Sequence, residues 1–247
     1  MMKNDICNCG AIALDENSKL VIDRVAEVAG YLWQKNWAER NGGNISVNLY
    51  DNIFYFTGTG QRMRDVAKSP LDFGAIIKVC DDWTNFEYVS EKHIKPTSEL
   101  PSHLAIHKCL RDRGMRNTVV VHTHPNELIA ISHLEKFLDA DVLTKTLWSM
   151  IPESRIIVPK GVGVVSYHVP GSLELATATI EQLATHDVIL WEKHGVLAVG
   201  NDVVECFDAI DTLVKCTQIY LFAKMAGGEP QGLNDEQLEE LAVKFNL

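Results

Sequence analysis

The chain has 247 residues, of which 46% are hydrophobic and 23% charged, and its formal net charge at pH 7 is -10. This length and apolar content allow a sizeable core and predict one domain rather than two small ones. The acidic balance, without a basic stripe that carries interleaved aromatic residues, argues against binding to nucleic acid. It does not exclude a small anionic substrate, because exposed charges act over only about 8 Å at physiological salt.

The N-terminal stretch lacks the positive cluster and apolar core of a secretion signal, and no apolar run approaches the roughly 18 residues of a membrane span. We therefore predict a cytoplasmic protein with no membrane association, a flexible tail over residues 1–17 and one domain over residues 18–247. The six cysteines lack the spacing of a zinc ribbon and are expected to be reduced thiols. Cys7 and Cys9 could bind a metal, but they have no nearby histidine, and a plain tail is the preferred interpretation.

The first half of the chain alternates between helices and strands. From Ser18, taken as an N-cap, apolar residues recur at helical spacing until the predicted helix ends near Trp37. Strands are predicted over residues 44–49 and 53–57, followed by a GTGQ turn and a third strand, FGAIIKV. KPTSE then precedes the helix LPSHLAIHKCLRD, whose early proline is tolerated in the first turn.

In the second half, the apolar strand TVVVHTH leads into the helix NELIAISHLEKF. RIIVPKGVGVVSYHVP predicts two short strands around Gly161 and Gly163, and LELATATIEQLATH predicts a helix. DVILWEKHGVLAVG predicts a hairpin with His194 in its turn, followed by a long helix over about 202–225 and a shorter one from Asp235. This mixture of hairpins and helical connections predicts an α/β domain with a central, mainly antiparallel sheet and helices on both faces.

The sharpest chemical signal is VVVHTHP. Side chains alternate between the faces of a strand, so His122 and His124 point to the same face and can reach one metal ion. A lone H-x-H is only half a site, and two hydrogen-bonded structural histidines are the simpler interpretation. His194, next to a glycine between two apolar runs, is a candidate third ligand, although taken alone it is more simply a turn residue.

A rival metal cluster lies on the predicted helix after KPTSE. Glu99, His103 and His107 are spaced four residues apart and share one helix face. The pattern differs from the H-E-x-x-H of metalloproteases, in which the glutamate lies between the two ligands. Packing on the helix face is the ordinary expectation for these histidines.

Three stretches offer ligands for an anion. Thr97 and Ser98 precede a helix whose first N–H groups favour an anion, and either residue also fits an ordinary N-cap. Thr59 lies in a Gly-Thr-Gly turn that has the same two interpretations. The Asn-Gly-Gly-Asn stretch from Asn41 follows a helix, whereas a hairpin turn needs strands on both sides. Its glycines allow backbone N–H groups to approach an anion without a Cβ in the way.

Seven segments, in their order along the chain, resemble the class II sugar-phosphate aldolases of the fuculose aldolase and ribulose-phosphate epimerase superfamily. The resemblance runs from about Val21 to the C-terminus. It implies a homotetramer and a zinc-dependent cleavage of a ketose 1-phosphate through an enediolate. The segments are WAERNGGNIS, FTGTGQ, KPTSELPSHLAIH, VVVHTHPNELIAIS, LWSMIPES, VPKGVGVVSYHVPGS and LWEKHGV.

The resemblance implies a role for particular residues. His122, His124 and His194 match the family's three ligands for one zinc ion per subunit, and Glu99 matches its catalytic base. Glu153 matches a second acid that, in one branch of the family, reaches the site from a neighbouring subunit. The segments that hold the phosphate and the adjoining oxygens contain Asn41, Gly43, Asn44, Thr59, Thr97 and Ser98.

Alternatives to one aldolase activity remain open. Within the fold they are a fuculose- or ribulose-type aldolase and a pentose-phosphate epimerase, although the glutamate of the TSE segment favours the aldolases. Outside enzymes, the alternative is a protein with structural zinc in which the NGGN stretch merely turns. The chain also departs from the family, because the stretch between Asn44 and Thr59 is short and Thr59 replaces a serine of some relatives.

Overall fold

Eight strands form one sheet in the computed structural model of the chain, which describes residues 12–115 and 118–247. They are β1 (Asn44–Tyr50), β2 (Ile53–Thr57), β3 (Gly74–Val79), β4 (Phe86–Tyr88), β5 (Val119–Thr123), β6 (Val162–Val165), β7 (Val188–Trp191) and β8 (Gly195–Gly200). Their order is β4-β3-β2-β1-β5-β8-β7-β6. Within the described residues every neighbouring pair is antiparallel except β6 and β7.

Helices cover both faces of this sheet. One buried cluster joins α1 (Glu16–Gln34), α5 (Asn126–Ser132) and α9 (Val203–Met225) to the sheet, and a second joins α4 (Leu100–Asp112) and α8 (Leu173–Gln182) to its other face. The predicted α/β domain with a mainly antiparallel central sheet is therefore confirmed. The described helices are α1 (Glu16–Gln34), α2 (Met63–Val66), α3 (Pro70–Phe73), α4 (Leu100–Asp112), α5 (Asn126–Ser132), α6 (Ala140–Trp148), α7 (Pro152–Ile157), α8 (Leu173–Gln182), α9 (Val203–Met225) and α10 (Asp235–Phe245), with a 3-10 helix over Glu135–Leu138.

The alternation of side chains along the central strands separates an apolar face from a face that also carries polar groups. Val119 and Val121 of β5 belong to the core under α1 and α9, whereas Val120 belongs to the core under α4. His122 follows Val120 at the strand period of two and is paired with Asn44 of β1. The face that α4 covers therefore carries polar groups at the centre of the sheet.

The start of the first helix differs from the prediction. Its N-cap is Asp15, not Ser18, because the Asp15 carboxylate accepts a hydrogen bond from the Ser18 N–H at 2.7 Å. The domain boundary predicted at residue 18 consequently falls inside α1. Ahead of the helix, the Ile12 N–H donates to the Val89 carbonyl at 2.9 Å. Cys7 and Cys9 lie outside the described residues.

One further prediction of local structure needs correction, and one strand was not predicted at all. The stretch around Gly161 and Gly163 forms one strand, β6, because its RII segment ends helix α7. Isoleucine favours strands, but a proline at the start of α7 sets a helical φ, and the buried Ser154 hydroxyl donates to the Ile151 carbonyl at 2.7 Å. Strand β4 was not predicted, since its three half-buried residues are too few to show alternation.

None of the described helices is both long enough and apolar enough to cross a membrane.

Candidate active site

A cavity of about 110 Å³ lies at one end of the central strands. Five segments form its wall: the loop before β1, the turn after β2, the loop before α4, the end of β5 and the turn after β7. Every residue predicted for the site except Glu153 lines this cavity. The lining residues are Asn41, Gly42, Gly43, Asn44, Gly58, Thr59, Gly60, Thr97, Ser98, Glu99, His122, His124 and His194.

Three histidines of this wall form one cluster. His122 is the penultimate residue of β5, His124 lies directly after that strand, and His194 lies in the β7–β8 turn, as the hairpin prediction placed it. The Nε2 atoms of His122 and His124 are 3.0 Å apart, and the potential ligand atoms of the three histidines lie within 4.8 Å of one another. The ring of the buried Trp191 packs at 4.5 Å from that of His122. The geometry is that of a set of nitrogen ligands converging on one point.

Two of these histidines are oriented by hydrogen bonds at their outer nitrogens. His122 Nδ1 is 3.0 Å from the Val196 carbonyl, to which it donates. His124 Nδ1 lies 2.9 and 3.0 Å from the carboxylate oxygens of Glu39, which accept its proton. Metal-bound histidines commonly make such outer contacts, which fix the tautomer and leave Nε2 unprotonated, with its lone pair free to bind the metal. Glu39 thus belongs to the site, although sequence reasoning did not single it out.

The cluster fits a metal ion on chemical grounds. His194 Nδ1 is buried and has no hydrogen-bond partner among the described residues, a state that coordination would relieve. Burial lowers the pKa of His122 well below its ordinary value and that of His194 to about 4, with the neighbouring histidines adding to both shifts. Neutral imidazoles are the form that binds metals. Three of them suit a zinc ion that keeps an open coordination position.

Glu99 places a carboxylate beside this cluster. Its Oε2 lies 4.0 Å from His122 Nε2 and accepts a hydrogen bond from Asn44 Nδ2 at 3.0 Å. Burial raises the pKa of Glu99, while the Asn44 hydrogen bond and the charge of His124 act in the opposite direction. A half-buried carboxylate with a raised pKa in a cleft has the properties of a proton-transfer group.

The NGGN loop is fitted closely to the strand that carries the histidines. Gly43 has a φ of +72°, and a Cβ built on it would lie 2.9 Å from the His122 carbonyl oxygen. On the other side of β5, a Cβ on Gly195 would lie 2.5 Å from the Thr123 carbonyl oxygen and 2.9 Å from His124 Cδ2. Glycine at both positions therefore allows the neighbouring segments to approach the ligands.

The GTG and TSE segments lie side by side. Gly58 and Pro96 form an isolated antiparallel bridge between them. The Thr59 N–H donates to the Lys95 carbonyl at 2.9 Å, and the Thr97 N–H donates to the Thr57 carbonyl at 3.0 Å. These two N–H groups are therefore engaged within the protein. Thr59 and the exposed Ser98 both lie at the cavity wall.

Two predictions for helix α4 have clear outcomes, and the structure also gives the position of the second acid, Glu153. The N-cap of α4 is Glu99 rather than Thr97 or Ser98, and the Glu99 N–H donates to Thr97 Oγ1 at 3.3 Å. His103 and His107 do not join Glu99 as ligands, because both rings hydrogen-bond to the Ser46 hydroxyl of β1. Glu153 is exposed in the first turn of α7 and is not among the residues that line the cavity.

Fold and site together identify the class of protein. Residues 23–221 match the family described as Class II Aldolase and Adducin N-terminal domain. The chain belongs to the class II aldolases, and it is an enzyme of the metal-dependent kind that breaks carbon–carbon bonds.

Individual relatives agree with this assignment. A protein of Bacteroides thetaiotaomicron named rhamnulose-1-phosphate aldolase is 45% identical over 100% of this chain and 99% of its own length. One of the same name from Listeria welshimeri is 32% identical over 90% of this chain and 91% of its own. The crystal structure of a sugar-phosphate aldolase from Thermotoga maritima superposes with a TM-score of 0.76 at 33% identity, covering 86% of this chain and 98% of that one.

Proposed function

We propose that this enzyme cleaves L-rhamnulose 1-phosphate to dihydroxyacetone phosphate and L-lactaldehyde, with zinc bound by His122, His124 and His194. Two relatives that cover nine-tenths or more of the chain carry the name of this activity. The observation that carries the proposal is the position of Glu99, a carboxylate of raised pKa whose Oε2 lies 4.0 Å from the nitrogen of a candidate ligand. An aldolase of the metal-dependent class needs a proton-transfer group next to its metal.

The histidine cluster supports zinc in particular. Zinc accepts three neutral imidazoles and retains its full charge and an open position. When bound, it would act as a Lewis acid and stabilise the negative charge that develops on the substrate oxygens as the bond between the third and fourth carbons breaks. The chain contributes the oriented ligands. The Glu39 carboxylate accepts a hydrogen bond from His124 Nδ1 and so raises the basicity of His124 as a metal ligand.

Glu99 is our candidate for the group that moves the proton on carbon. In cleavage it would deliver a proton to the third carbon of the substrate, which becomes the hydroxymethyl carbon of dihydroxyacetone phosphate. In the reverse reaction it would remove that proton. Burial raises its pKa and so makes it a stronger base than an exposed glutamate. The hydrogen bond from Asn44 fixes one of its oxygens.

The phosphate is proposed to lie against the loops that line the rest of the cavity. The NGGN stretch contributes Asn41, Gly43 and Asn44 to the lining, the turn after β2 contributes Thr59, and the loop before α4 contributes Thr97 and Ser98. Hydroxyl groups and amides can bind this anion without a positive side chain, which agrees with the acidic balance of the chain.

Glu153 is proposed to act in a homotetramer. It is exposed on α7 and outside the cavity of its own chain, as expected for an acid that completes the site of a neighbouring subunit. There it would exchange a proton with the aldehyde oxygen. Mixed tetramers of Glu99→Gln and Glu153→Gln subunits test this arrangement, since they should regain activity that neither variant has alone.

We further propose that the enzyme serves rhamnose degradation in the cytoplasm.

The decisive experiment compares substrates on the purified, zinc-loaded enzyme. L-Rhamnulose, L-fuculose and L-ribulose 1-phosphates are supplied separately, and release of dihydroxyacetone phosphate is followed with a coupled dehydrogenase. Conversion of L-ribulose 5-phosphate to its 4-epimer is measured alongside. We expect rhamnulose 1-phosphate to give the highest kcat/KM, a chelator to abolish turnover, and added zinc to restore it.

Other results would change the assignment. A higher kcat/KM for fuculose or ribulose 1-phosphate would replace the substrate, and epimerisation without release of dihydroxyacetone phosphate would replace the reaction. Release that survives complete removal of metal would contradict the metal-dependent mechanism.

A further inference from the structure

A line of buried polar side chains runs away from Glu99 between helix α4 and the sheet. Asn44 Oδ1 contacts His103 Nε2, and His103 Nδ1 lies 2.6 Å from the Ser46 hydroxyl. The same hydroxyl lies 2.7 Å from His107 Nε2. The line ends where His107 Nδ1 meets Thr118 Oγ1 at 2.7 Å. Apart from Asn44, no member of this line lines the cavity, so its contact with the site runs through Asn44.

The line follows from a match between the strand and the helix. Asn44 and Ser46 are two residues apart on β1 and so lie about 6.8 Å apart on one face. His103 and His107 are four residues apart on α4 and so lie about 6 Å apart on one face. The two polar pairs therefore interlock, and Ser46, His103 and His107 are 0%, 0% and 1% exposed.

The hydrogen bonds allow one direction along the whole line. The Glu99 carboxylate accepts, so the Asn44 amide nitrogen must face it, and the Asn44 oxygen then faces His103. His103 must donate from Nε2 and accept at Nδ1 from the Ser46 hydroxyl, which has one proton to give. Ser46 must then accept from His107 Nε2, because its only proton is already used.

Both histidines are in the charge state that this order requires. Burial lowers the pKa of His103 to about 3 and holds that of His107 well below its ordinary value. A neutral imidazole has one donor and one acceptor nitrogen. Every ring nitrogen in the line therefore has a partner, with Thr118 donating to His107 Nδ1 at the far end.

We propose that His103, backed by Ser46 and His107, is a positioning residue that fixes the Asn44 amide so that its nitrogen, rather than its oxygen, faces Glu99. This inference rests on the proposed role of Glu99. If the amide turned over, its oxygen would face the carboxylate oxygen, and the two would repel each other. His103, Ser46 and His107 thus orient the proton-transfer group through Asn44, without lining the cavity themselves.

The kinetic test removes or keeps the donor of His103. His103→Leu deletes it, whereas the amide nitrogen of His103→Gln replaces Nε2 and can still donate to Asn44. Loss of such an outer contact typically lowers activity by about 10- to 100-fold, and we expect this loss in kcat for the leucine variant, with KM changed by less than about threefold. The glutamine variant should recover most of the lost kcat.

Ser102→Ala is the matched control. Ser102 is a buried neighbour of His103 on α4, and its hydroxyl has no hydrogen-bond partner among the described residues. Its removal should leave kcat and KM as in the wild type. Equal kcat in His103→Leu and Ser102→Ala, with both variants folded and zinc-loaded, would overturn the proposal. A loss of kcat that glutamine does not restore would do the same.

A spectroscopic test does not depend on turnover. Two-bond proton–nitrogen correlation spectra of histidine-labelled, zinc-loaded enzyme distinguish the two neutral tautomers, and His103→Gln and His107→Gln samples assign the signals. We expect both histidines to carry the proton on Nε2 at neutral pH. A proton on Nδ1 of His103 would mean a reversed Asn44 amide and would refute the inference.

The two measurements separate this inference from the proposed function. If the wild type fails to cleave any of the sugar phosphates, the aldolase proposal fails, while the tautomers still report the direction of the line. If the wild type cleaves rhamnulose 1-phosphate and His103→Leu does so equally well, only the positioning role fails.

Discussion

Replacement of Gly43 by alanine tests whether the NGGN loop is held against the strand of metal ligands. Gly43 has a φ of +72°, and the added Cβ would lie 2.9 Å from the carbonyl oxygen of His122. The carbonyl belongs to the backbone of β5 and has no flexible end that could move aside. We therefore expect the variant both to lose stability and to displace a ligand.

Gly227 provides the matched control. It follows α9 with a φ of +84°, and a Cβ there would meet nothing within 4 Å. Left-handed backbone costs about 1–2 kcal/mol for alanine, and the less flexible unfolded chain offsets about 0.4–1 kcal/mol of this. Gly227→Ala should therefore lose about 1 kcal/mol. Gly43→Ala adds overpacking, which costs roughly 1–3 kcal/mol, so its total loss should be about 2–4 kcal/mol.

Two assays read out the difference. Urea unfolding of both variants gives the free energy of unfolding, and competition with a chromophoric chelator gives the zinc affinity. We expect Gly43→Ala to lose at least about tenfold in zinc affinity, as when a contact that orients a ligand is lost, and Gly227→Ala to lose none. Equal stability losses together with unchanged zinc affinity in Gly43→Ala would show that the loop is not packed against β5 as described.

Three other predictions follow from the same structure. Glu39→Gln should keep a hydrogen bond to His124 but lose the charge, so chelator competition should show zinc affinity reduced by about 10- to 100-fold. Glu99→Gln should retain fold and zinc while kcat for release of dihydroxyacetone phosphate falls by about 10²–10⁴-fold, and near-normal turnover would remove its assigned role. Because burial lowers the pKa of His103 from 6.5 to about 3, unfolding takes up a proton below pH 6.5. As the pH is lowered below 6.5, the free energy of unfolding should therefore decrease by up to about 1.4 kcal/mol per pH unit for this residue. Urea unfolding midpoints measured against pH should show a smaller decrease in His103→Gln.

Much of the metal cluster could be predicted because its signals are local. The strand period alone places His122 and His124 on one face, and two apolar runs around a glycine predict the turn that holds His194. Strand β5, which contains His122 and leads directly to His124, is the neighbour of β8, the second strand of the hairpin whose turn holds His194. No pattern in the chain predicted that adjacency, and it was the family resemblance that grouped the three histidines.

Contacts between distant segments could not be read in the same way. Glu39 lies 85 residues before His124, and Ser46 lies 57 residues before His103. Their pairing depends on β1 lying next to β5 and on α4 crossing that face, neither of which composition or periodicity determines. The helical spacing of His103 and His107 was visible and raised a rival ligand set beside the ordinary expectation of packing, but it gave no sign of their partner Ser46 on the strand.

Glu153 marks a different limit. Its role was carried over from the family resemblance, and its exposed position on α7 outside the cavity agrees with a partner in another subunit but does not test it. No pattern within one chain specifies which surface of a second copy an exposed carboxylate meets. The mixed-subunit experiment addresses that contact directly.

The short segment from Glu39 to Ser46 joins the parts of the site, and its length is constrained by the strand period. Glu39 orients one ligand, Gly43 packs on the strand that carries the ligands, and Asn44 and Ser46 face α4. Deletion of one residue before β1 that shifted its register would turn Asn44 and Ser46 towards the apolar core, because a slip of one residue exchanges the faces of a strand. The NGGN stretch therefore does more than turn the chain, since its residue count decides which face of β1 reaches Glu99.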